Sequence, residues 1–358
     1  MERGNTMVRA CRTERGFTLP EVMIAMALGS VVVAGGYAVL AGSERALVAN
    51  DHISATQQSV RLAMELLAQD IRMAGYGMTA PVGACGSSIV PQDNNPVGAD
   101  TGPDGIRIVV PTNLSTLNAP TIGPFNMLLL TATAADIAAV VTEGFAANAT
   151  VSIGGVQTAQ VGAPAAALPL AKTIGSPVAF SAGTPVYWLR CITYAVIRPP
   201  DVNNVCGGTA PCLVRGATAA ACNVAASPCV PVADGVDDLQ FAYACDGCTG
   251  TGVPDGLVDD QNGTNSYDTG DFVTNNIWAA GFMVPASIRL VQINLMARES
   301  RPSGKSEGGG PGSMSAPITL SDHDPTADAG YYNAATYGQF SRRILTRVVQ
   351  TKNIGLGL

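Results

Sequence analysis

The sequence predicts an α+β fold, in which one long N-terminal helix packs against an antiparallel β-sheet. Three observations support this fold class: an apolar run near the start, an amphipathic helical pattern after it, and short β-compatible segments along the rest of the chain. The chain has 358 residues, of which 47% are hydrophobic, 5% aromatic and 13% charged. So few charges exclude a disordered acidic protein. The net charge of −7 excludes the basic face of a general nucleic-acid-binding protein, so we expect no nucleic acid as a partner.

The first element is an apolar run from Val22 to Ser43. Its 22 residues contain no ionisable side chain except that of Tyr37, and this length is enough to cross a bilayer. The preceding segment, residues 1–16, carries four arginines and two glutamates, a net charge of +2 that favours the cytoplasmic side. The sequence therefore predicts that the rest of the chain lies outside the cytoplasm.

A secretory signal peptide would show the same charge pattern, and Val39–Ala41 fits a small-residue cleavage site. Glu21 argues against a signal peptide. It stands at the mouth of the apolar run, where an unpaired buried carboxylate costs roughly a few kcal/mol, and a signal peptide has no use for such a group. We therefore interpret residues 17–43 as a retained membrane-spanning helix.

The second element, residues 44–75, has the pattern of an amphipathic helix. Apolar side chains recur at helical spacing and predict the face that packs on a globular body: Val60, Ala63, Met64, Leu67, Ile71 and Ala74. Gly75 is placed to end this helix in a left-handed conformation.

The two helical segments together, from Phe17 to Ala74, would be about 87 Å long as one unbroken helix. We expect a break instead of continuity. Gly29 and Gly35–Gly36 are the weak points, since each glycine costs about 1 kcal/mol relative to alanine.

Residues 76–358 form a body that is predicted to be β-rich with long polar connections. Five segments have the apolar pattern of strands: Ile106–Val110, Met127–Leu130, Val186–Ile197, Leu239–Tyr243 and Ile288–Ala297. The alanine-rich segments Ala132–Val141 and Ala163–Ala171 fit either a helix or a loop. The segment Arg301–Ala316, rich in glycine, serine and proline, predicts a flexible loop, and Ile344–Ile354 predicts an apolar closing element.

A ten-residue motif covers the start of the apolar run, with the sequence Gly-Phe-Thr-Leu-Pro-Glu-Val-Met-Ile-Ala from Gly16 to Ala25. It resembles the prepilin cleavage and methylation motif of type IV pilins and type II secretion pseudopilins. The resemblance implies cleavage after Gly16 by a membrane aspartyl peptidase, removal of the cytoplasmic leader 1–16, and N-methylation of Phe17. It also implies that Glu21, fifth in the mature chain, pairs in a filament with the Phe17 ammonium group of a neighbouring subunit. Such a pair sets the register between subunits, because breaking a buried ion pair costs about 3–5 kcal/mol.

Later segments narrow the resemblance to the PilW-like minor pilins. The amphipathic helix ends in an Ile-Arg-x-Ala-Gly-Tyr signature that is followed by Cys85, and three further segments look like that family: Asp234–Tyr243, Ile288–Arg298 and Arg342–Asn353. Residues from about 86 to 184 match nothing in that family, and we interpret them as an elaboration of this chain. The resemblance implies a type IV pilin-like fold: a helix with a transmembrane half and an amphipathic half, packed on an antiparallel sheet with long disulfide-bonded loops.

The resemblance further implies a minor pilin that acts in pilus assembly or initiation, within a tip or priming complex. Its implied partners are other minor pilins, the major pilin, the prepilin peptidase/methyltransferase and the inner-membrane assembly platform. The implied location is the bacterial inner membrane, crossed once with the C-terminal body in the periplasm, and then the pilus at the cell surface. Two alternatives stay open: a J-type minor pseudopilin of a type II secretion system, and an exported adhesive or hydrolytic domain that uses the segment only as a signal or anchor.

Eight of the nine cysteines follow the apolar run, on the predicted periplasmic side, where disulfides form and persist. Cys11 belongs to the leader. The other eight are candidates for disulfides and allow 105 pairings: Cys85, Cys191, Cys206, Cys212, Cys222, Cys229, Cys245 and Cys248. The stretch from Cys206 to Cys229 is loop-like and poor in large apolar residues, so each disulfide there would stabilise it by roughly 2–4 kcal/mol.

The C-x-x-C segment Cys245–Cys248 also fits a redox or half-zinc pattern. No thioredoxin-like βαβ pattern surrounds it, and no second C-x-x-C or paired histidine completes a zinc site. We therefore favour a structural disulfide.

An acidic, glycine-rich tract follows Cys245, and it has two interpretations. Its oxygen-bearing side chains are candidate Ca²⁺ ligands: Asp255, Asp259, Asp260, Asn262, Asp268 and Asp271, with Asp246 before them. The spacing does not fit an EF-hand and no glutamate closes the loop, so a solvated connection between strands is the other interpretation. We favour the solvated connection and therefore predict no metal site and no cofactor, with calcium as the alternative.

The sequence favours no enzymatic activity, and we predict no catalytic residue. Gly304-Lys305-Ser306 echoes a P-loop, but Glu299 stands where the earlier glycine is required. His323 has acidic neighbours that would orient it, but we expect it to be an exposed loop histidine.

Overall fold

The computed structural model describes residues 17–92, 100–208, 210–217, 222–224, 228–248, 253–264, 266–274, 285–299, 317–328, 330–333, 337–340 and 342–353. By its internal contacts the chain divides into two compact units, Met1–His52 and Ile53–Leu358. The described part of the first unit is the N-terminal portion of one helix with the two residues before it. The second unit contains every strand that the structure describes.

Helix α1 extends from Leu19 to Met73 without interruption. The break predicted at Gly29 or Gly35–Gly36 is therefore wrong. A glycine lowers helix stability but keeps its backbone N–H and C=O for the hydrogen-bond ladder, whereas a proline removes a donor. No proline occurs between residues 20 and 81, so no residue forces the helix to stop.

The C-terminal end of α1 is fixed by the turn that follows it. Gly75 has a φ of 77°, which confirms the predicted left-handed conformation. Its N–H donates to the carbonyl oxygen of Val109 at 2.9 Å. A carbonyl in the last turn of the helix, that of Arg72, accepts from Asn353 Nδ2 at 3.2 Å.

Fourteen strands lie in the described part of the chain: β1 (Ile89–Gln92), β2 (Gly105–Thr116), β3 (Thr121–Ile122), β4 (Phe125–Leu129), β5 (Thr150–Ile153), β6 (Gln157–Gln160), β7 (Ala167–Ile174), β8 (Ala179–Phe180), β9 (Pro185–Ile197), β10 (Cys212–Gly216), β11 (Cys229–Asp234), β12 (Val236–Cys245), β13 (Ile288–Arg298) and β14 (Arg342–Gln350). A second helix, α2, spans Ala134–Thr142 between β4 and β5. Short 3₁₀ helices lie at Thr269–Asp271, Pro285–Ser287 and Pro325–Ala327.

Two antiparallel sheets carry the body, where the sequence predicted one. The larger has the order β1-β2-β9-β10-β11, with β5 also paired to β9 and β6 paired to β5. The smaller has the order β12-β13-β14. Strands β3 and β8 form a two-stranded ribbon, as do β4 and β7.

The apolar face of α1 predicted from helical spacing is confirmed. All six of its side chains are 5% exposed or less. They belong to one buried cluster with side chains from both sheets, such as Ile108 on β2 and Phe241 on β12. The C-terminal part of α1 and the two sheets therefore share one core.

A second apolar cluster lies among residues 114–188, largely within the stretch that resembles no family segment. Its buried side chains include Phe145, Val151, Leu168 and Trp188. Helix α2 contributes Ile137. This elaboration therefore has a core of its own, which no prediction from the sequence had included.

The five predicted strands are confirmed as parts of β2, β4, β9, β12 and β13. The alanine-rich segment Ala132–Val141 forms α2 for most of its length. For Ala163–Ala171 the loop alternative is confirmed in the first half, whereas the second half forms the start of β7, which neither alternative included. The predicted loop between Cys206 and Cys229 contains β10. The loop predicted at 301–316 lies outside the described residues.

Candidate functional site

The N-terminal end of α1 carries the residues predicted for processing and assembly. Gly16 lies outside the described residues, and Phe17 is exposed. Glu21 lies in the first turn of α1, where its Oε2 accepts from the Thr18 N–H at 3.0 Å and from the Thr18 hydroxyl at 2.9 Å. The carboxylate thus caps the helix within one turn of the predicted mature terminus.

The membrane-spanning prediction agrees with the helix that the structure shows. The segment Leu19–Glu44 is long and apolar enough to cross a membrane, and none of it is buried within the chain. Its large side chains, such as Met26, Val32 and Leu40, are exposed. An uncovered apolar helix next to a prepilin-type motif fits membrane anchoring of a body that lies outside the cytoplasm.

The eight cysteines predicted to be exported form four disulfides. The pairs are Cys85–Cys191, Cys206–Cys212, Cys222–Cys229 and Cys245–Cys248. The first joins the loop after α1 to the middle of β9. The disulfides Cys206–Cys212 and Cys222–Cys229 cross-link the region around β10 and β11, which is poor in large apolar residues.

The C-x-x-C segment ends β12 and contacts the acidic tract. Asp259 Oδ2 accepts from the Cys248 N–H at 2.5 Å, and the Asp259 N–H donates to the Cys245 carbonyl at 2.8 Å. The Gln261 side-chain amide lies 2.9 Å from Cys248 Sγ. Among the described histidine, cysteine and acidic residues, Cys245, Cys248 and Asp259 are the one group of three with mutually close ligand atoms, and its two sulfurs are joined in a disulfide.

Most of the described carboxylates in the acidic tract accept hydrogen bonds from backbone N–H groups of the same tract. Asp246 is fully buried, accepts from the Asp255 and Gly256 N–H groups, and forms an ion pair with Arg289 at 3.0 Å. Asp271 is also buried and accepts from the N–H groups of Gln261 and Asp268. The interpretation as a purely solvated connection is therefore wrong for these two residues.

The remaining calcium candidates make similar local bonds. Asp260 accepts from the Gly263 N–H at 2.6 Å, Asp255 accepts from the Leu257 N–H, and Asp268 accepts from Asn262 and from the Gly270 N–H. The calcium site stays a prediction.

A network of buried charges joins the start of β12 to the loop before β14. His323 Nδ1 lies 2.5 Å from Asp238 Oδ2, and His323 Nε2 lies 2.8 Å from Asp328 Oδ1. Arg198, just after β9, donates from Nη1 to Asp328 Oδ2 at 2.5 Å. His323 is 0% exposed, so the prediction of an exposed loop histidine is wrong.

His323 carries a proton on each ring nitrogen at neutral pH. Burial alone would lower the pKa of His323, but the hydrogen bonds to Asp238 and Asp328 outweigh burial and raise the pKa to about 9. The imidazolium then donates to one carboxylate from each nitrogen.

The neighbouring carboxylate, that of Asp237, has partners on the other side of the network. Arg342, at the start of β14, donates from Nε to Asp237 Oδ2 at 2.7 Å, and the Tyr331 hydroxyl donates to Asp237 Oδ1. The Arg342 guanidinium also lies 3.5 Å from the centroid of the Tyr337 ring. These bonds tie β12 and β14 to the loop between β13 and β14.

A second charged cluster fastens α1 to the larger sheet. Asp70 on α1 accepts from the Tyr194 hydroxyl at 2.6 Å and from Arg215 Nε at 2.9 Å. Tyr194 lies on β9 and Arg215 on β10. Burial, followed by the charge of Asp70, raises the pKa of the Tyr194 hydroxyl, so this phenol stays a donor.

The sequence analysis predicted neither the His323 network nor the Asp70 cluster, although one sequence feature indicated the first of them. Asp237 and Asp238 stand side by side in a segment that otherwise has the pattern of a buried strand, and buried carboxylates require partners. Their partners lie far away in the sequence and cannot be read from local pattern.

Two family profiles match the chain. The profile of the prokaryotic N-terminal methylation motif matches residues 11–37, and that of type IV pilus-assembly protein W matches residues 202–353. The second range includes β10 to β14 and most of the His323 network. No curated protein and no solved structure matches. The two profiles thus cover the motif at Gly16–Ala25 and three of the later segments that carried the resemblance.

Proposed function

Since this chain is a PilW-like minor type IV pilin, we propose that it works by assembly rather than by chemistry, as a subunit that initiates or caps a pilus. The observation that carries the proposal is the prepilin-type motif followed by an apolar helix, Leu19–Glu44, that the chain itself leaves uncovered. An apolar helical surface of this length requires cover from another source. In the membrane the cover is lipid, and in a filament it is the helices of neighbouring pilins.

The proposed route has three steps. The chain enters the inner membrane with residues 1–16 in the cytoplasm. The prepilin peptidase then cuts the Gly16–Phe17 bond and the new amino group of Phe17 is methylated. Finally, the helix joins a bundle of other pilins, where Glu21 meets the Phe17 ammonium group of a neighbour and both charges lose their water together.

The size of the body supports a position at the filament end. Residues 114–188 add an apolar cluster of their own to the part that matches the family profile. Extra bulk of this kind is best accommodated where a subunit lacks a neighbour on one side.

The test combines intact-protein mass spectrometry with isolation of filaments from the native host. We expect the mature chain to begin at Phe17 with one added methyl group. We expect Glu21→Ala to reach the membrane but to be reduced in filaments by at least tenfold. Glu44→Ala, which removes the carboxylate at the other end of the apolar segment, is the matched control and keeps incorporation at the wild-type level.

Two results would overturn the proposal. A mature chain that begins at Gly42 would identify the segment as an export signal. Wild-type incorporation of Glu21→Ala would refute the pairing of Glu21 with Phe17.

A further inference from the structure

Strand β9 has a gap along one of its two edges. One edge pairs with β2 over almost its whole length, Pro185–Tyr194. On the other edge, β5 begins opposite Leu189 and β10 ends opposite Thr193. In the described part of the chain no strand pairs with this edge at Arg190–Ile192. We call this three-residue gap the β9 notch.

Two described residues that border the notch donate their N–H groups to carbonyl oxygens outside β9. Asn148, two residues before β5, has a φ of 68° and donates its N–H to the Val161 carbonyl at 2.8 Å. Ala217, directly after β10, donates its N–H to the Pro228 carbonyl at 3.4 Å. The disulfide Cys85–Cys191 holds the middle of the notch in place.

A cavity of about 580 Å³ opens at the notch, within the size range of ligand sites. Most of its lining residues are small and apolar, and Arg190 is the one cation among them. The lining includes Val82, Asn148, Ala149, Trp188, Arg190 and Ala217. An occupant therefore meets apolar walls, the open edge of β9 and a single positive charge.

Arg190 sets the chemistry of the notch. Its side chain is 13% exposed and its guanidinium lies 4.6 Å from the centroid of the Trp188 ring. Its ion-pair partner Glu143 is 58% exposed and 3.7 Å away, so water screens that pair. Arg190 Nε is buried and has no hydrogen-bond partner among the described groups. Burial, followed by the charge of Arg215, lowers the pKa of Arg190, although the charges of Glu143 and Asp70 act in the opposite direction.

We propose that the β9 notch binds an extended peptide segment of a partner protein that carries an Asp or Glu opposite Arg190. Three residues of extended chain span about 10 Å and fill the gap as a short strand in line with β5 and β10. Directly opposite residues of an antiparallel pair point to the same face, so an acidic side chain opposite Arg190 reaches its guanidinium. A carboxylate supplies an acceptor for the buried Arg190 Nε, which has none among the described groups. This inference does not depend on a position at the pilus tip.

The test measures binding of two capped pentapeptides to the full chain in detergent by isothermal titration calorimetry. The peptides are acetyl-Ala-Val-Asp-Val-Ala-amide and its counterpart with Asn in the centre. We expect the Asp peptide to bind at least tenfold more tightly than the Asn peptide. In Arg190→Gln the two peptides should bind with equal affinity.

Arg107→Gln is the matched control, because Arg107 on β2 also has a buried Nε without a partner but does not line the cavity. It should keep the ratio of the wild type. Ala217→Leu fills the notch and leaves Arg190 in place, so it should weaken both peptides by at least tenfold. This variant also decides the question if Arg190→Gln does not fold.

Three results would overturn the inference. The first is equal binding of the two peptides to the wild type, and the second is wild-type binding by Ala217→Leu. The third is binding of free glutamate as tightly as the Asp peptide, which would mean that the open strand edge contributes nothing.

Discussion

His323 holds a proton between two buried carboxylates, Asp238 on β12 and Asp328 in the loop before β14. The sequence showed only the adjacent Asp322 and Asp324, which predicted an exposed loop residue. Its actual partner Asp238 lies 85 residues earlier in the chain. The prediction of an exposed histidine was wrong because tertiary contacts, and not the neighbours in sequence, form the environment of His323.

The stability contribution of His323 depends on pH. The pKa is about 9 in the folded chain and about 6.5 when unfolded, so the stabilisation is complete below pH 6.5 and is lost as the pH rises through 9. The shift corresponds to about 3 kcal/mol. We expect the free energy of unfolding of the wild type to exceed that of His323→Gln near pH 6, and the difference to shrink by about this amount near pH 10.

Urea unfolding of both full chains at the two pH values provides the measurement. A difference that stays constant across this range would show that His323 does not exchange a proton on unfolding.

At the scale of elements, the sequence predicted the start, the apolar face and the end of α1, from the hydrophobic pattern and from Gly75. The sequence did not predict that α1 is continuous, because single glycines were given more weight than the absence of proline. Strand β7 was missed although Leu168 and Leu170 alternate into the second cluster. The surrounding alanines hid this alternation, since alanine fits a helix, a loop or a strand.

Gly75 is needed for two reasons that can be separated. Its φ of 77° is costly for alanine, and a Cβ there would lie 2.3 Å from Ser88 Oγ. Gly83 has a φ of 55° with open space around it. We expect Gly75→Ala to lower the free energy of unfolding by about 2–3 kcal/mol and Gly83→Ala by only about 1 kcal/mol.

The measurement is chemical unfolding of each variant. Adding Ser88→Gly to Gly75→Ala should recover the steric part of the loss and leave a cost close to that of Gly83→Ala. Equal costs for the two single variants would mean that the contact with Ser88 relaxes freely.

At the scale of the molecule, the fold class, the membrane-spanning segment and the exported cysteines were predictable. Composition and hydrophobic pattern carry that information. The division into two sheets and the separate core of residues 114–188 were not predictable, because they depend on which strands pair across long separations. The same holds for the disulfide pairing, which the sequence left at 105 alternatives.

The four disulfides should differ in their contribution to stability. Cys85–Cys191 joins residues 106 apart in sequence, whereas Cys206–Cys212 joins residues 6 apart. Restriction of the unfolded chain is worth about 5 kcal/mol for the longer loop and about 2 kcal/mol for the shorter one. We expect Cys85→Ala/Cys191→Ala to be more destabilised in urea unfolding than Cys206→Ala/Cys212→Ala.

The same two variants also report on local structure. Mass spectrometry after alkylation should find the other three disulfides intact in each variant. If both variants lose equal stability, native strain or residual structure outweighs loop closure.

The last strand completes the packing around the helix with which the body begins. Val349 on β14 lies in the core beneath α1, Arg347 binds Glu65, and Asn353 donates to the carbonyl of Arg72. The two polar contacts bridge 282 and 281 residues of sequence. Because the ribosome delivers α1 first and β14 last, the helix stays incompletely covered until nearly the whole chain has been exported. We therefore expect a subunit truncated before β14 to expose the apolar face of its helix and to be cut by added protease faster than the complete chain.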